Sequence, residues 1–178
     1  PFGRIAFAVS PSAPNNLLAI VEAKSTGLYL SRDGGESWER RSAPMNIEAR
    51  PFYFSVIQFD PFDSLRVYRP AYTFSYSVDG GLSFADASSE GGWVHSDMHA
   101  LWINKKDPNH LYLGTDGGVY YSLDKGATWT FVGSLPVGQF YHVRTDRQDP
   151  YRMYGGLQDN GSWMAPSSAP GGVGNPQW

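Results

Sequence analysis

The chemistry that this sequence can support is concentrated in a short polar stretch that contains His95, Asp97 and His99. In an extended chain, residues two apart point the same way, so the two imidazoles and the carboxylate would share one side. Such a set can bind a divalent transition metal or act as a general acid or base. The triplet lacks the spacing of known metal-ligand signatures. We therefore expect a polar, ligand-facing role without metal or other cofactor. The alternative is a polar loop whose side chains bond to backbone and to the neighbouring repeats of the chain.

Two further carboxylates, Asp116 and Asp159, each follow an apolar segment and lie close to glycine. Glycoside hydrolysis normally requires two carboxylates that flank the scissile bond. The candidate catalytic residues are therefore Asp116, Asp159 and Asp97, although an aspartate beside glycine is also typical of an ordinary turn. The candidate ligand-binding residues are His95, His99, Gln139, Gln158, Asn160 and Trp93, of which Trp93 offers a ring for sugar stacking.

The elements that must position these residues follow a repeated frame, Ser-x-Asp-x-Gly-x-(Ser/Thr)-(Trp/Phe). It begins at Ser31, Ser77 and Ser122, at intervals of 46 and 45 residues. Asp bonds nearby backbone N–H groups and Gly adopts positive φ, so the frame predicts hairpin turns at 33–35, 79–81 and 124–126. The structural residues of the three copies are Ser31, Asp33, Gly35 and Trp38; Ser77, Asp79, Gly81 and Phe84; and Ser122, Asp124, Gly126 and Trp129.

A proline-containing turn and an apolar strand precede each copy of the frame, and a further strand precedes that turn. These leading strands are predicted at 4–9, 52–59, 98–103 and 140–144. A fixed period of this length indicates a repeat architecture of four-stranded antiparallel units. The units are predicted at 1–45, 46–92, 93–135 and 136–165, the last incomplete, and the residues 166–178 read as a loop tail.

The frame resembles the Asp-box, or bacterial neuraminidase repeat, of sialidases, sortilin-type receptors and two-propeller xyloglucan-active hydrolases. The resemblance implies an all-β fold of β-propeller blades, with the Asp-box a structural turn remote from the active site. The units amount to about three and a half blades; a four-bladed ring would lack its last outer strand, so a β-propeller fragment of a larger, seven-bladed ring is favoured. The segments 94–102, 114–120, 135–142 and 154–163 look like large bacterial Asp-box proteins labelled sortilin-like or glycosyl hydrolase. The segment 115–118 resembles a Thr-Asp-x-Gly-Gly stretch that carries a catalytic carboxylate in the xyloglucan-active hydrolases, but is one residue shorter.

The predicted blade topology places the Asp-boxes at one end of each sheet. The links into each first strand and between second and third strands lie at the other end, where propeller ligand sites usually occur, and they carry every candidate named above. The interpretation is a secreted or periplasmic propeller that binds a glycan or peptide at this face, with the remaining blades of its ring as further partners. The alternative is a glycoside hydrolase that uses paired carboxylates there.

Composition excludes several other classes of function. The 14 basic and 17 acidic residues give a net charge of −3, which provides no basic patch for nucleic acid. The chain contains no Cys, and therefore neither disulfides nor thiolate metal sites. No apolar run approaches the length of a membrane span.

Overall fold

The computed structural model describes residues 1–41, 47, 50, 52–54, 56–86, 93–133, 135 and 138–168. The chain divides into two compact units, Pro1–Val132 and Gly133–Trp178. The predicted all-β class is confirmed, because the described strands form four antiparallel sheets in which each strand pairs with its neighbours in sequence. The unit boundaries predicted at 45–46, 92 and 136, and most of the predicted tail, fall outside the described residues.

In the described part of the chain, the first unit contains three four-stranded sheets and the second unit contains a three-stranded sheet. Sheet 1 consists of β1 (Ile5–Val9), β2 (Leu17–Val21), β3 (Gly27–Ser31) and β4 (Glu39–Arg40); sheet 2 of β5 (Gln58–Phe59), β6 (Val67–Pro70), β7 (Phe74–Ser77) and β8 (Ala85–Asp86); sheet 3 of β9 (Met98–Ile103), β10 (Leu111–Thr115), β11 (Gly118–Ser122) and β12 (Thr130–Phe131); and sheet 4 of β13 (Phe140–Thr145), β14 (Arg152–Leu157) and β15 (Ser162–Pro166).

Two apolar cores hold the first unit together, one on each face of sheet 2. Val67 faces sheet 1 and its neighbour Tyr68 faces sheet 3, as expected because successive strand residues point to opposite faces. The first core consists of Leu18, Ile20, Leu28, Leu30, Ile47, Ile57, Phe59 and Val67, and the second of Tyr68, Phe74, Val94, Met98, Ile103, Leu111, Leu113, Tyr120 and Trp129. Each fully buried side chain of this size contributes about 1.5–3 kcal/mol, so the sheets are held face to face chiefly by these contacts.

Two predicted element bounds are wrong. The strand expected at 52–59 is confined to Gln58–Phe59, and the other described residues of that segment lie outside the ladder. The tail was expected to begin at 166, but Pro166 is the last residue of β15 and lies opposite Arg152. Proline is tolerated there because β15 is an edge strand among the described residues. Within the described part of the chain, no helix has the length and hydropathy of a membrane span.

Candidate functional site

The three Asp-box turns form as predicted, and they are closed by their own side chains. In the third turn, Ser122 Oγ donates to Asp124 Oδ1 at 2.7 Å and accepts from the Gly126 N–H at 2.8 Å. Thr128 then donates to Asp124 through both its N–H, at 2.8 Å, and its hydroxyl, at 2.5 Å. The first two turns repeat these bonds with Asp33 and Asp79. The box carboxylates therefore bond to the backbone and hydroxyl groups of their own turns, and their exclusion from the ligand site stays a prediction.

The opposite end of sheet 3 carries the polar candidates. Thr115, at the end of β10, pairs with Met98 at the start of β9 and with Gly118 at the start of β11. The segment that leads into β9 and the link at 116–117 therefore meet at one sheet end. A backbone bond joins them, in which the Asp116 N–H donates to the Asp97 carbonyl at 3.1 Å.

The three residues of the polar stretch have different environments. Asp97 has a left-handed φ of 60°, so the segment is not extended and the premise that the three side chains share one side is wrong. The His95 side chain is buried, with 8% of the residue exposed; its ring lies over Gly117 and its Nδ1 is 2.9 Å from the Ser96 carbonyl. Among the described residues, His95, Asp97 and His99 do not together bring one ligand atom each within 4.8 Å of the other two.

His99 and Asp116 form an ion pair or hydrogen bond at this sheet end. His99 Nε2 lies 3.0 Å from Asp116 Oδ1, with the histidine side chain 39% exposed and the carboxylate 19% exposed. Asp97 is nearby, with a carboxylate oxygen within 4.8 Å of one from Asp116. Its Oδ1 is buried and has no hydrogen-bond partner in the described part of the chain. These carboxylates and the imidazole can accept hydrogen bonds from a hydroxyl-rich ligand, and the imidazole can also donate one. Because the Asp116 carboxylate orients the His99 imidazole, the pair is also suited to proton transfer.

The structure adds an aromatic wall that the sequence analysis did not identify. The Tyr53 ring meets the His99 ring edge-on with centroids 5.2 Å apart, and the Phe54 ring lies 5.8 Å from His99. The Arg50 guanidinium stacks over Tyr53, with Cζ 5.2 Å from the ring centroid. Tyr53 is 47% exposed, whereas Phe54 is buried beneath it. Tyr53 and Phe54 were expected within a strand, and the run of three aromatic residues at 52–54, shortly after Arg50, was the available signal in the sequence.

We call the exposed or half-buried set formed by Arg50, Tyr53, Asp97, His99 and Asp116 the mouth surface. Trp93 lies at its margin, 78% exposed, with its ring 5.3 Å from that of His95. The Tyr72 carbonyl of sheet 2 accepts from the Asp97 N–H at 3.3 Å, so sheet 2 also supports the surface.

The remaining candidates lie in the second unit, at the corresponding end of sheet 4. The Gln158 N–H donates to the Gln139 carbonyl at 2.9 Å, which places both residues where β13 begins and β14 ends. The Gln158 amide donates to Asp159 Oδ2 at 2.8 Å, and the Tyr141 hydroxyl donates to Gln158 Oε1. Asn160 Nδ2 donates to the Gln158 carbonyl at 2.7 Å. Their predicted role in a shared site with Asp116 stays a prediction.

Comparisons with known proteins agree with this description of the fold. A BNR/Asp-box repeat model matches residues 29–40. The chain is similar in structure to the GH74 enzyme of Niastella koreensis, with 18% identity and a TM-score of 0.62 over 91% of this chain and 28% of that one. It is also similar to the GH74 xyloglucanase of Xanthomonas campestris, with 18% identity and a TM-score of 0.58 over 90% and 28%. The chain thus spans less than a third of each protein's length. No curated protein sequence matches it significantly.

Proposed function

We propose that this chain, which carries Asp-box repeats in a β-propeller fold, binds a glycan on the mouth surface. The observation that carries the proposal is the position of His99, whose imidazole contacts the Asp116 carboxylate at 3.0 Å and the Tyr53 ring at 5.2 Å. An exposed aromatic ring beside paired hydrogen-bonding groups suits a sugar, which presents an apolar C–H face and a rim of hydroxyls.

The charges of the mouth surface favour a neutral, hydroxyl-rich ligand over a peptide strand. Asp97 and Asp116 offer acceptors, Arg50 offers donors, and His99 can act as either. The usual routes to peptide capture are an unpaired sheet edge, an apolar groove or a charge cluster of one sign. The mouth surface has mixed charge and is built from the segments that precede β5 and β9, the start of β9 and the link between β10 and β11.

The test uses the whole chain and xyloglucan oligosaccharides as the probe, because one structural neighbour is a xyloglucanase. Binding is measured by titration calorimetry and by NMR shifts of His99. Tyr53→Ala and Asp116→Asn should each weaken binding by about tenfold or more, equivalent to about 1.4 kcal/mol. Phe62→Ala is the matched control, since Phe62 is an exposed aromatic in the turn between β5 and β6, at the other end of sheet 2.

Two outcomes would contradict the proposal. One is the absence of binding by xyloglucan and by a panel of other neutral glycans at millimolar concentration. The other is binding that both mouth-surface variants leave unchanged. Capture of peptides but not glycans would assign the surface to the peptide alternative.

The hydrolase alternative is favoured by one distance. Asp97 and Asp116 bring carboxylate oxygens within 4.8 Å of each other. A separation below this limit is too short for the about 6.5–9.5 Å that inverting glycosidases need for a water molecule, so a hydrolase at this site would have to follow the retaining mechanism. A reducing-end assay on xyloglucan would detect turnover, and Asp116→Asn and Asp97→Asn should each abolish it. Tight binding without any release of reducing ends would leave only the binding function.

A further inference from the structure

Sheet 2 buries a positive charge at a position that is apolar in the neighbouring sheets. Arg69, on β6, lies two residues after Val67, as Ala19 follows Leu17 on β2 and Leu113 follows Leu111 on β10. Arg69 is completely buried, at 0% exposure. A buried cation is costly unless its donors are satisfied, so its retention at a core position requires an explanation.

The Arg69 guanidinium bonds to backbone carbonyls in place of a carboxylate. Nη2 donates to the Phe54 carbonyl at 2.5 Å, and Nη1 donates to the carbonyls of Val56 and Pro70 at 3.0 Å each. Burial lowers the pKa of Arg69 to about 10, so the side chain is still protonated at neutral pH. Arg69 is therefore a fixed set of charged donors aimed at the segment that precedes β5.

That segment is the one that leaves the strand ladder. β1 and β9 pair with their neighbours over five and six residues, whereas β5 pairs only through Gln58 and Phe59. The described residues 52–54 and 56–57, here called the arm, therefore have carbonyls that no neighbouring strand bonds in the described ladder. Arg69 takes two of these carbonyls, and Arg4 of sheet 1 takes a third, because its Nη1 donates to the Phe52 carbonyl at 3.0 Å. The two arginines substitute for the missing strand pairing.

The arm carries the aromatic wall of the mouth surface. Tyr53 and Phe54 lie between the carbonyls that the arginines hold, and both rings contact His99 of sheet 3. We infer that Arg69 is a positioning residue: by binding the Phe54 and Val56 carbonyls from within sheet 2, it holds the arm out of the ladder and sets Tyr53 against His99. The effect on ligand affinity rests on the proposed function, but the effect on His99 does not.

The test compares two substitutions at equivalent buried positions in the whole chain. Arg69→Met removes the hydrogen-bond donors and fills the site with an unbranched apolar side chain. Leu113→Met is the control, because it changes the equivalent position in sheet 3, where there is no arm. Both variants are expected to lose stability. Only Arg69→Met should move the ring protons of His99, because the ring-current shift caused by Tyr53 and Phe54 changes when the arm is released. Its affinity for xyloglucan oligosaccharide should fall by about tenfold.

Two further variants cover the case in which Arg69→Met does not fold. Arg69→Lys keeps the charge but bonds fewer carbonyls. The ring protons of His99 should therefore move in the same direction as in Arg69→Met, but by less. Arg4→Ala changes an exposed side chain and removes only the Phe52 bond, so it should shift His99 in the same direction and by less. The inference would be overturned if the His99 resonances were unchanged in folded Arg69→Lys and Arg4→Ala. It would also be overturned if Leu113→Met moved these resonances as far as the Arg69 variants do. A His99 shift without any glycan binding would retain the role of Arg69 and reject the proposed function.

Discussion

Gly126→Ala should destabilise the first unit much more than the same change at the equivalent Gly35. Both glycines occupy the fifth position of the Asp-box frame, and the N–H of each donates to the box serine at 2.8 Å. Their φ angles are 84° and 100°, a region that alanine adopts only under strain. That strain costs about 1–2 kcal/mol and is shared by the two variants.

The two sites differ in what a new methyl group would meet. At Gly126, a Cβ would lie 2.9 Å from Phe74 Cε1 of the preceding sheet and 3.3 Å from Trp129 Cζ2. The Phe74 and Trp129 rings already pack edge to face at 4.9 Å, so neither can move away freely. At Gly35 the nearest atom within reach is Trp38 Cζ2, at 3.8 Å. Overpacking of this kind adds about 1–3 kcal/mol, so we expect about 2–5 kcal/mol for Gly126→Ala and about 1–2 kcal/mol for Gly35→Ala.

Guanidinium unfolding of the purified chain, followed by tryptophan fluorescence, measures the difference through the transition midpoints. Gly81→Ala provides an internal check, because its Cβ would lie 2.8 Å from Leu28 Cδ2, the end of a flexible side chain. Its cost should fall between the other two. Equal destabilisation by Gly35→Ala and Gly126→Ala would refute the argument that the third box is wedged against sheet 2.

Two other predictions concern stability at low pH and self-association. Burial alone would raise the pKa of Asp79, but the hydrogen bonds from Ser83 and Ser77 outweigh burial and lower the pKa to about 2. The stability that these bonds provide should therefore be lost as the pH falls from about 4 to 2. In Asp79→Asn, the midpoint of urea unfolding should depend less on pH over that range. Phe7 is 68% exposed on sheet 1, so Phe7→Ser should reduce self-association, measured by light scattering, without lowering the unfolding midpoint; an unchanged particle size would count against this.

The repeat and its turns were predictable because they depend on local chemistry. The turn bonds of Asp33, Asp79 and Asp124 join residues no more than four apart, so the frame itself predicts the hairpin. The position of Asp116 at the end opposite the boxes also followed from strand order alone. Within sheet 3, the proximity of His99 to Asp116 agrees with that topology.

The arm was not predicted, because its course depends on a contact outside its own sequence. Phe52, Tyr53 and Phe54 have strong strand propensity, but the Arg69 guanidinium takes the carbonyls that strand pairing would use. The available signal was an arginine at the register of Ala19 and Leu113. The left-handed φ of Asp97 was not predicted for a similar reason. The Asp97 N–H bonds to the Tyr72 carbonyl of sheet 2, so the side chains of this segment do not alternate in direction as they would in a strand.

The short sequence span of the Asp-box bonds has a consequence for how this chain folds during synthesis. Every described strand pairs only with its neighbours along the chain, and each box closes over at most four residues of separation. Hairpins of this kind form in microseconds, whereas translation adds about 5–20 residues per second. Sheet 1 can therefore be paired before the residues of sheet 2 have been translated. We therefore expect the docking of finished sheets within the first unit to be slower than the pairing of strands within each sheet.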